Sequence, residues 1–217
     1  GKRESVVIKN GIDTCLYRFD ATTRIQVRKE LGIGDEVTVI GHVGGYNRQK
    51  NQQMLMYILK AIEAKNPSKD FCLISVGRGH TQKDVEQLAS KLGVDGKVRF
   101  LGQRTDVPKL LNAMDMFFLP SLFEGFPIVA IEAQTAGLPL VIADTISKEV
   151  ELTNLVHWLP IDKGAEVWAE KYYQIAHTKV NRVQYAPIVE RKGFDARHSA
   201  QILQDIYVKN ILRNENS

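Results

Sequence analysis

Short apolar runs alternate with longer amphipathic stretches along most of this chain, and their order predicts the fold. Residues 37–43 (VTVIGHV), 71–76 (FCLISV), 97–102 (KVRFLG), 115–119 (DMFFL), 140–143 (LVIA) and 155–159 (LVHWL) are brief and rich in β-branched and aromatic residues. Gly, Pro or polar clusters bound them, so they read as buried strands. Between them, residues 51–64 place Met54, Leu55, Ile58, Leu59 and Ile62 on one helical face. A helix opened by Thr81 or Gln82 runs to Leu92 and stops at Gly93. Residues 105–114 form the next, with Thr105 as its cap and Pro108 in its first turn. Pro127 opens a helix that ends near Gly137, Ser147 or Lys148 starts a short one to Leu152, and residues 164–177 form another. Residues 196–212 are a long amphipathic helix with Ile202, Leu203, Ile206 and Ile211. Near the start, residues 5–8 are a β-branched run followed by an Asn10-Gly11-Ile12-Asp13 turn. Thr22 or Thr23 then caps a short helix through Leu31. Residues 180–193 have weak periodicity and contain Pro187, so no element is assigned to them.

Strands alternating with helices call for an α/β fold: a Rossmann-like parallel sheet with helices on both faces. In such sheets ligands bind at the carboxyl ends of the strands, where the strand order switches. Those ends are Gly44-Gly45, Gly77-Arg78-Gly79, Gly102-Gln103-Arg104 and residues 121–127. Glycine there lets backbone approach a ligand closely. The convergence of these loops is the main argument for a site, and it centres on residues 119–139, LPSLFEGFPIVAIEAQTAGLP.

Composition narrows the class. The 217 residues are 44% hydrophobic and 25% charged, ordinary for a globular protein and against wholesale disorder. No run approaches the roughly 18 apolar residues of a membrane helix. The two cysteines, Cys15 and Cys72, lie far apart without metal-ligand spacing and read as thiols in a reducing compartment. A net charge of +4 is spread along the chain, without the basic stripe and interleaved aromatics of a nucleic-acid binder. It suits an anionic small ligand or an acidic membrane surface.

The loops carry the candidate chemistry. Gly77-Arg78-Gly79 is a weak dinucleotide fingerprint, because Gln82 stands where the third glycine belongs. No phosphate-cradling GxxxxGK[ST] loop and no Asp-x-Asp motif occur, and the five histidines show no metal spacing. The loop GGYNRQK sets Arg48 and Lys50 just before a helix N-terminus, where backbone N–H groups and two cations favour a diphosphate. Glu132 has the apolar neighbours Ile128, Val129, Ala130, Ile131 and Ala133, so its carboxylate is expected to be buried and to need a partner. The two hydroxyls of a ribose would satisfy it. Glu124 lies where the loop meets the helix and can reach sugar hydroxyls; a capping or salt-bridged structural role is the alternative for both.

At these residues the sequence resembles the C-terminal, donor-binding half of GT-B retaining glycosyltransferases, and is similar to the group that builds bacterial capsular and exopolysaccharides. The matching stretches are VIKNGID (7–13), GHVGGYNRQKN (41–51), the Val76-Gly77-x-Gly79 turn, VRFLGQRTDVPKLLNAMD (98–115), residues 119–139 and ADTISKEV (143–150). The resemblance implies that Glu124 is the catalytic residue and, with the backbone of Gly125, Phe126 and Pro127, faces the donor sugar and diphosphate. Glu132 would hold the ribose, Lys50 the phosphates, and the loop from Gln103 through Arg104 to Val107 would border the nucleobase. Gly44, Gly45, Arg48, Gly77 and Ser121 complete the donor-binding set. The expected reaction is transfer of a hexose from a nucleotide sugar, a UDP-sugar first, to a glycan or lipid-linked acceptor, with no metal or other cofactor. A non-catalytic nucleotide-sugar-binding module and a sugar-nucleotide epimerase of the same fold are the alternatives.

The resemblance also sets expectations about the whole protein. Residues 1–13 would be a linker and edge strand, 14–195 the donor-binding domain, and 196–217 a helix crossing back to an acceptor-binding N-terminal domain absent from this sequence. The chain would then be a fragment inactive alone, from a cytoplasmic protein seated at the inner face of the membrane. Two residues depart from the pattern. The family commonly has arginine where this chain has Gly45, so either Arg48 supplies that charge three residues on or donor binding is weakened. Where Arg78 stands, the family commonly has an acidic or small residue.

Overall fold

Helix α1 (Thr14–Tyr17) opens the fold within a stretch that the sequence marks only as following a turn. Its cap is Asp13, whose carboxylate accepts from the N–H groups of Cys15 at 3.0 Å and Leu16 at 3.2 Å. The computed structural model describes residues 8–68 and 70–215, so the expected strand at 5–8 lies, apart from Ile8, outside the described residues. Helix α2 (Ala21–Glu30) is capped by Asp20 rather than by Thr22 or Thr23. The Asp20 carboxylate takes the Thr23 N–H at 2.6 Å, since an aspartate one residue before the helix reaches the third N–H better than a threonine already inside it.

The remainder alternates as the hydrophobic pattern predicts. Strand β1 (Thr38–Val43), helix α3 (Gln52–Lys65), β2 (Phe71–Val76), α4 (Gln82–Leu92), β3 (Val98–Phe100), α5 (Val107–Ala113), β4 (Met116–Leu119), α6 (Ile128–Thr135), β5 (Leu140–Ala143), β6 (Val156–Leu159) and α7 (Ala165–Ala176) follow in order. A 3₁₀ turn, Lys148–Val150, stands where a short helix was expected. Helix α5 begins after Asp106, not Thr105, and Asp106 makes no side-chain cap because its carboxylate turns to Arg104. Residues 180–193 do contain structure: a 3₁₀ turn at Arg182–Gln184, helix α8 (Tyr185–Val189) and a wide turn broken at Gly193. Helix α9 (Ala196–Glu215) ends the described chain.

All six strands are parallel, in the order β3-β2-β1-β4-β5-β6. The chain winds outward from β1 to β3, returns to β4 beside β1, and winds the other way to β6. Helices α3, α4 and α7 pack on one another, and α1, α2, α5, α6 and α8 form a second set of contacts. Strands so covered are buried throughout: every residue of β2, β4 and β5 is buried, and all but Ser75 are apolar. The switch in winding direction falls between β1 and β4, paired through Ile40 with Met116 and Gly41 with Phe117. The loops leaving those two strands therefore flank a crevice, and both carry candidate residues.

The first and last parts of the fold meet at one seam. Ile12 forms a parallel bridge to Asp195, the Ile12 N–H donates to the Phe194 carbonyl at 2.9 Å, and Ala196 N–H returns to Ile12 at 2.9 Å. Arg197 and the Thr14 hydroxyl hold the Asp195 carboxyl well below the usual carboxylate range.

Candidate functional site

Backbone hydrogen bonds stitch three strand-end loops into one platform. Gly44 N–H donates to Val76 O at 2.9 Å, Tyr46 N–H to Arg78 O at 3.0 Å, and Gly77 N–H to Gly102 O at 2.8 Å. The loops lie so close that side chains are excluded. A Cβ on Gly77 would stand 2.0 Å from Gly44 O, and one on Gly79 the same distance from Tyr46 O. Beneath them the Tyr46 hydroxyl and Ser75 share a 2.5 Å hydrogen bond.

Across the crevice the β1–α3 and β4–α6 loops are joined by side chains. Lys50 Nζ sits 2.5 Å from Glu124 Oε1, in a pair only 17% and 9% exposed. Ser121, fully buried, donates its hydroxyl to the same carboxylate oxygen at 2.8 Å. Gln49 donates to Glu124 Oε2 at 3.4 Å and to the Phe123 carbonyl at 3.0 Å, and accepts Leu122 N–H on its own carbonyl. Asn51, held in the left-handed region at φ 53, donates to Pro120 O at 3.1 Å. Gly44 lies close against Lys50, where a Cβ would stand 3.2 Å from the lysine stem and press on it.

The structure thus gathers Gly44, Lys50, Ser121 and Glu124 into one cluster, with Gly45, Gly125 and Pro127 on its rim. Helix α6 begins after Pro127, and no side chain caps its first N–H groups. Gly77 holds the platform. The Phe126 ring stacks on Phe194 at 5.7 Å. Arg48 is exposed and, among the described residues, makes no hydrogen bond or ion pair. Arg104 is committed to Asp106 by two bonds of 2.8 and 2.7 Å, so its charge braces its own loop, next to Val107 at the start of α5. Glu132 is half-buried about one turn into α6 and makes no hydrogen bond to this cluster. Burial raises its pKa, and the hydroxyl of Tyr17 in α1 supplies the hydrogen bond that partly offsets this. Burial first, then the Glu132 carboxylate, pushes the Tyr17 phenol above its ordinary value.

Gln49, Asn51 and Tyr17 are residues around the site that sequence reading missed, while His42 fits the sequence reading of a core or site-edge histidine rather than a base. Asn51 alone carried a signal, because asparagine is the residue besides glycine that most readily adopts the left-handed conformation. His42 is fully buried in β1, with Nδ1 3.0 Å from the Phe118 carbonyl. That contact requires a proton on Nδ1, leaving Nε2 as a buried lone pair without a protein partner, close to Gly44. Burial pulls its pKa down to about 4, so the ring is neutral at physiological pH. The unfolded chain then takes up this proton first on acidification. Stability is therefore expected to fall by roughly 3 kcal/mol as pH drops from about 6.5 to about 4 through this group. Urea titrations at about pH 7 and pH 4.5 would show a smaller loss in His42→Gln, and equal losses in both proteins would refute the assignment.

A doubly wound parallel sheet with a charged crevice at its switch point defines a Rossmann-like α/β domain. The chain belongs to the group 1 glycosyltransferases, whose family model, "Glycosyl transferases group 1", matches residues 37–177. It is 30% identical to the putative glycosyltransferase EpsF of Bacillus subtilis over 209 residues, covering 95% of this chain and 54% of that protein. It is 33% identical over 141 residues to an Escherichia coli UDP-Gal:alpha-D-GlcNAc-diphosphoundecaprenol alpha-1,3-galactosyltransferase, covering 64% of this chain and 36% of that enzyme. Its fold matches HepE from Anabaena, solved with UDP and glucose, with a TM-score of 0.77 and 26% identity, over 93% of this chain and 56% of that one. The chain thus spans about half the length of EpsF and HepE. The resemblance read from the motifs is borne out, as is the Rossmann-like half of a GT-B fold.

Proposed function

We propose that this chain is the donor-binding domain of a retaining glycosyltransferase that moves a hexose from a nucleotide sugar, a UDP-sugar first, to a glycan or lipid-linked acceptor. The observation that carries the reading is the cluster of Lys50, Ser121 and Glu124 across the switch-point crevice, beside the α6 N-terminus. In this reading Lys50 and the first N–H groups of α6 neutralise a diphosphate whose charge grows as the glycosidic bond breaks. Glu124 accepts hydroxyls of the sugar. Glu132 and Tyr17 together offer an acceptor and a donor for ribose hydroxyls. The acceptor would be held by a further domain, in a protein working at the inner face of a membrane, and no metal is assigned a role. HepE, solved with UDP and glucose, supports the choice of UDP as first ligand to try.

Calorimetry with UDP, UDP-glucose and GDP-mannose in the presence of EDTA tests this directly. Binding of at least one is expected, and binding of none would refute the reading. Gly45 supplies a second arm. It has no strained φ, and a Cβ there meets nothing closer than 3.6 Å, so the backbone at this position accepts a side chain and Gly45→Arg is the variant to make. It is expected to tighten UDP binding by about tenfold, the worth of one charge-assisted contact. No gain would argue against a diphosphate beside Gly45.

A further inference from the structure

We propose that Glu124 makes this site discriminate against a nucleoside diphosphate that carries no sugar, an inference that rests on the nucleotide-sugar reading above. Lys50 is taken by Glu124: its ammonium lies 2.5 Å from Glu124 Oε1, and both side chains are largely shielded from water. The carboxylate is further fixed by Ser121 at 2.8 Å and Gln49 at 3.4 Å. Of the neighbouring positions, Arg104 is bound to Asp106 and Gly45 brings no charge, while Arg48 and Arg78 are exposed on their loops and neither pairs with Glu124.

A diphosphate entering the crevice must therefore draw Lys50 from Glu124 and then lie beside a carboxylate that has lost its cation. A sugar on that diphosphate changes the balance, because its hydroxyls donate to Glu124 in place of the ammonium. A free nucleoside diphosphate offers no such donor and adds charge at its terminal phosphate. An unpaired, shielded carboxylate is costly, so the penalty falls on the bare nucleotide alone.

The prediction is a reversal of sign. In Glu124→Gln the amide no longer holds Lys50, and UDP is expected to bind about 5- to 20-fold tighter than to the unaltered chain. UDP-glucose is expected to bind at least about fivefold more weakly, so the preference inverts. Calorimetry on the full chain with UDP and UDP-glucose, for the unaltered protein, E124Q and E124Q/K50M, reads this out. The UDP gain should vanish in the double variant. UDP binding that is unchanged or weaker in E124Q overturns the inference alone, as does a gain that survives K50M. An unaltered chain that takes neither ligand overturns the nucleotide-sugar reading and this inference with it. Should E124Q fail to fold, E124D retracts the carboxylate by one methylene while keeping its charge. It should show a smaller UDP gain, and a loss would refute the idea.

Discussion

A chain carrying Gly77→Ala is expected to lose about 4 kcal/mol of stability and to bind no nucleotide at concentrations that saturate the unaltered protein. Two independent faults combine. Gly77 sits at φ +145, a region that L side chains avoid, and its Cβ would stand 2.0 Å from the Gly44 carbonyl oxygen. That oxygen cannot retreat, because Gly44 is tied to Val76 O by its N–H, and Gly77 N–H is itself fixed on Gly102 O. Relief requires the β1–α3 loop to part from the β2–α4 loop, and the former carries Gly44, Gly45 and Lys50. Gly125→Ala is the control, since nothing lies within 4 Å of a Cβ there. It should change stability by less than about 0.5 kcal/mol. Urea unfolding with UDP titration on both variants decides the matter. A Gly77→Ala chain within about 1 kcal/mol of the original would show that the loops are not locked as described.

The same glycines show how far the sequence reaches. Strand ends rich in glycine are visible in the letters, and so is the strand–helix alternation that forces a parallel sheet and puts those ends on one rim. β2 and β5 were legible to the residue because six- and four-residue apolar runs bounded by polar or Pro residues have little room to shift. The caps were less legible. Asp20 stands just before Thr22 and Thr23 and Asp106 just after Thr105, and what separates the candidates is where the helix starts in space.

Within the site, Lys50 and Glu124 were legible singly, but their pairing was not, because the residues are 74 positions apart in sequence. The partner of Glu132 was hidden for a different reason. Its helix is apolar around it, which says that the carboxylate needs a hydrogen bond, yet Tyr17 comes from a one-turn helix with no periodicity to announce it. Arg104 shows the converse. It looked free for a ligand, and a local aspartate two residues on had already claimed it.

Residues 180–193, the stretch without a readable pattern, hold the residue whose removal should be felt most in the core. Arg182 donates from Nε to Ala136 O at 2.8 Å, from Nη1 to Asn112 O at 3.3 Å and Met114 O at 2.8 Å, and from Nη2 to Leu111 O at 2.9 Å. It thereby closes the carboxyl ends of α5 and α6 at once, supplying donors to carbonyls that have no helical N–H left to bond. The guanidinium also rests on the Phe19 ring at 4.1 Å. Burial, and then the neighbouring Arg24 charge, lower its pKa to about 9, which still leaves it charged at neutral pH. Arg182→Met is expected to cost about 3 kcal/mol, because the carbonyls lose their donors without gaining water. Arg182→Lys should recover little, since one ammonium cannot span carbonyls from two helices. Nucleotide affinity measured below the melting transition should change less than about threefold, because these contacts lie at the end of α6 away from Glu124. A methionine variant within about 1 kcal/mol of the original in urea would mean that the two helix ends are satisfied by other groups. A large affinity loss in a well-folded variant would instead mean that the α6 N-terminus is positioned from its far end.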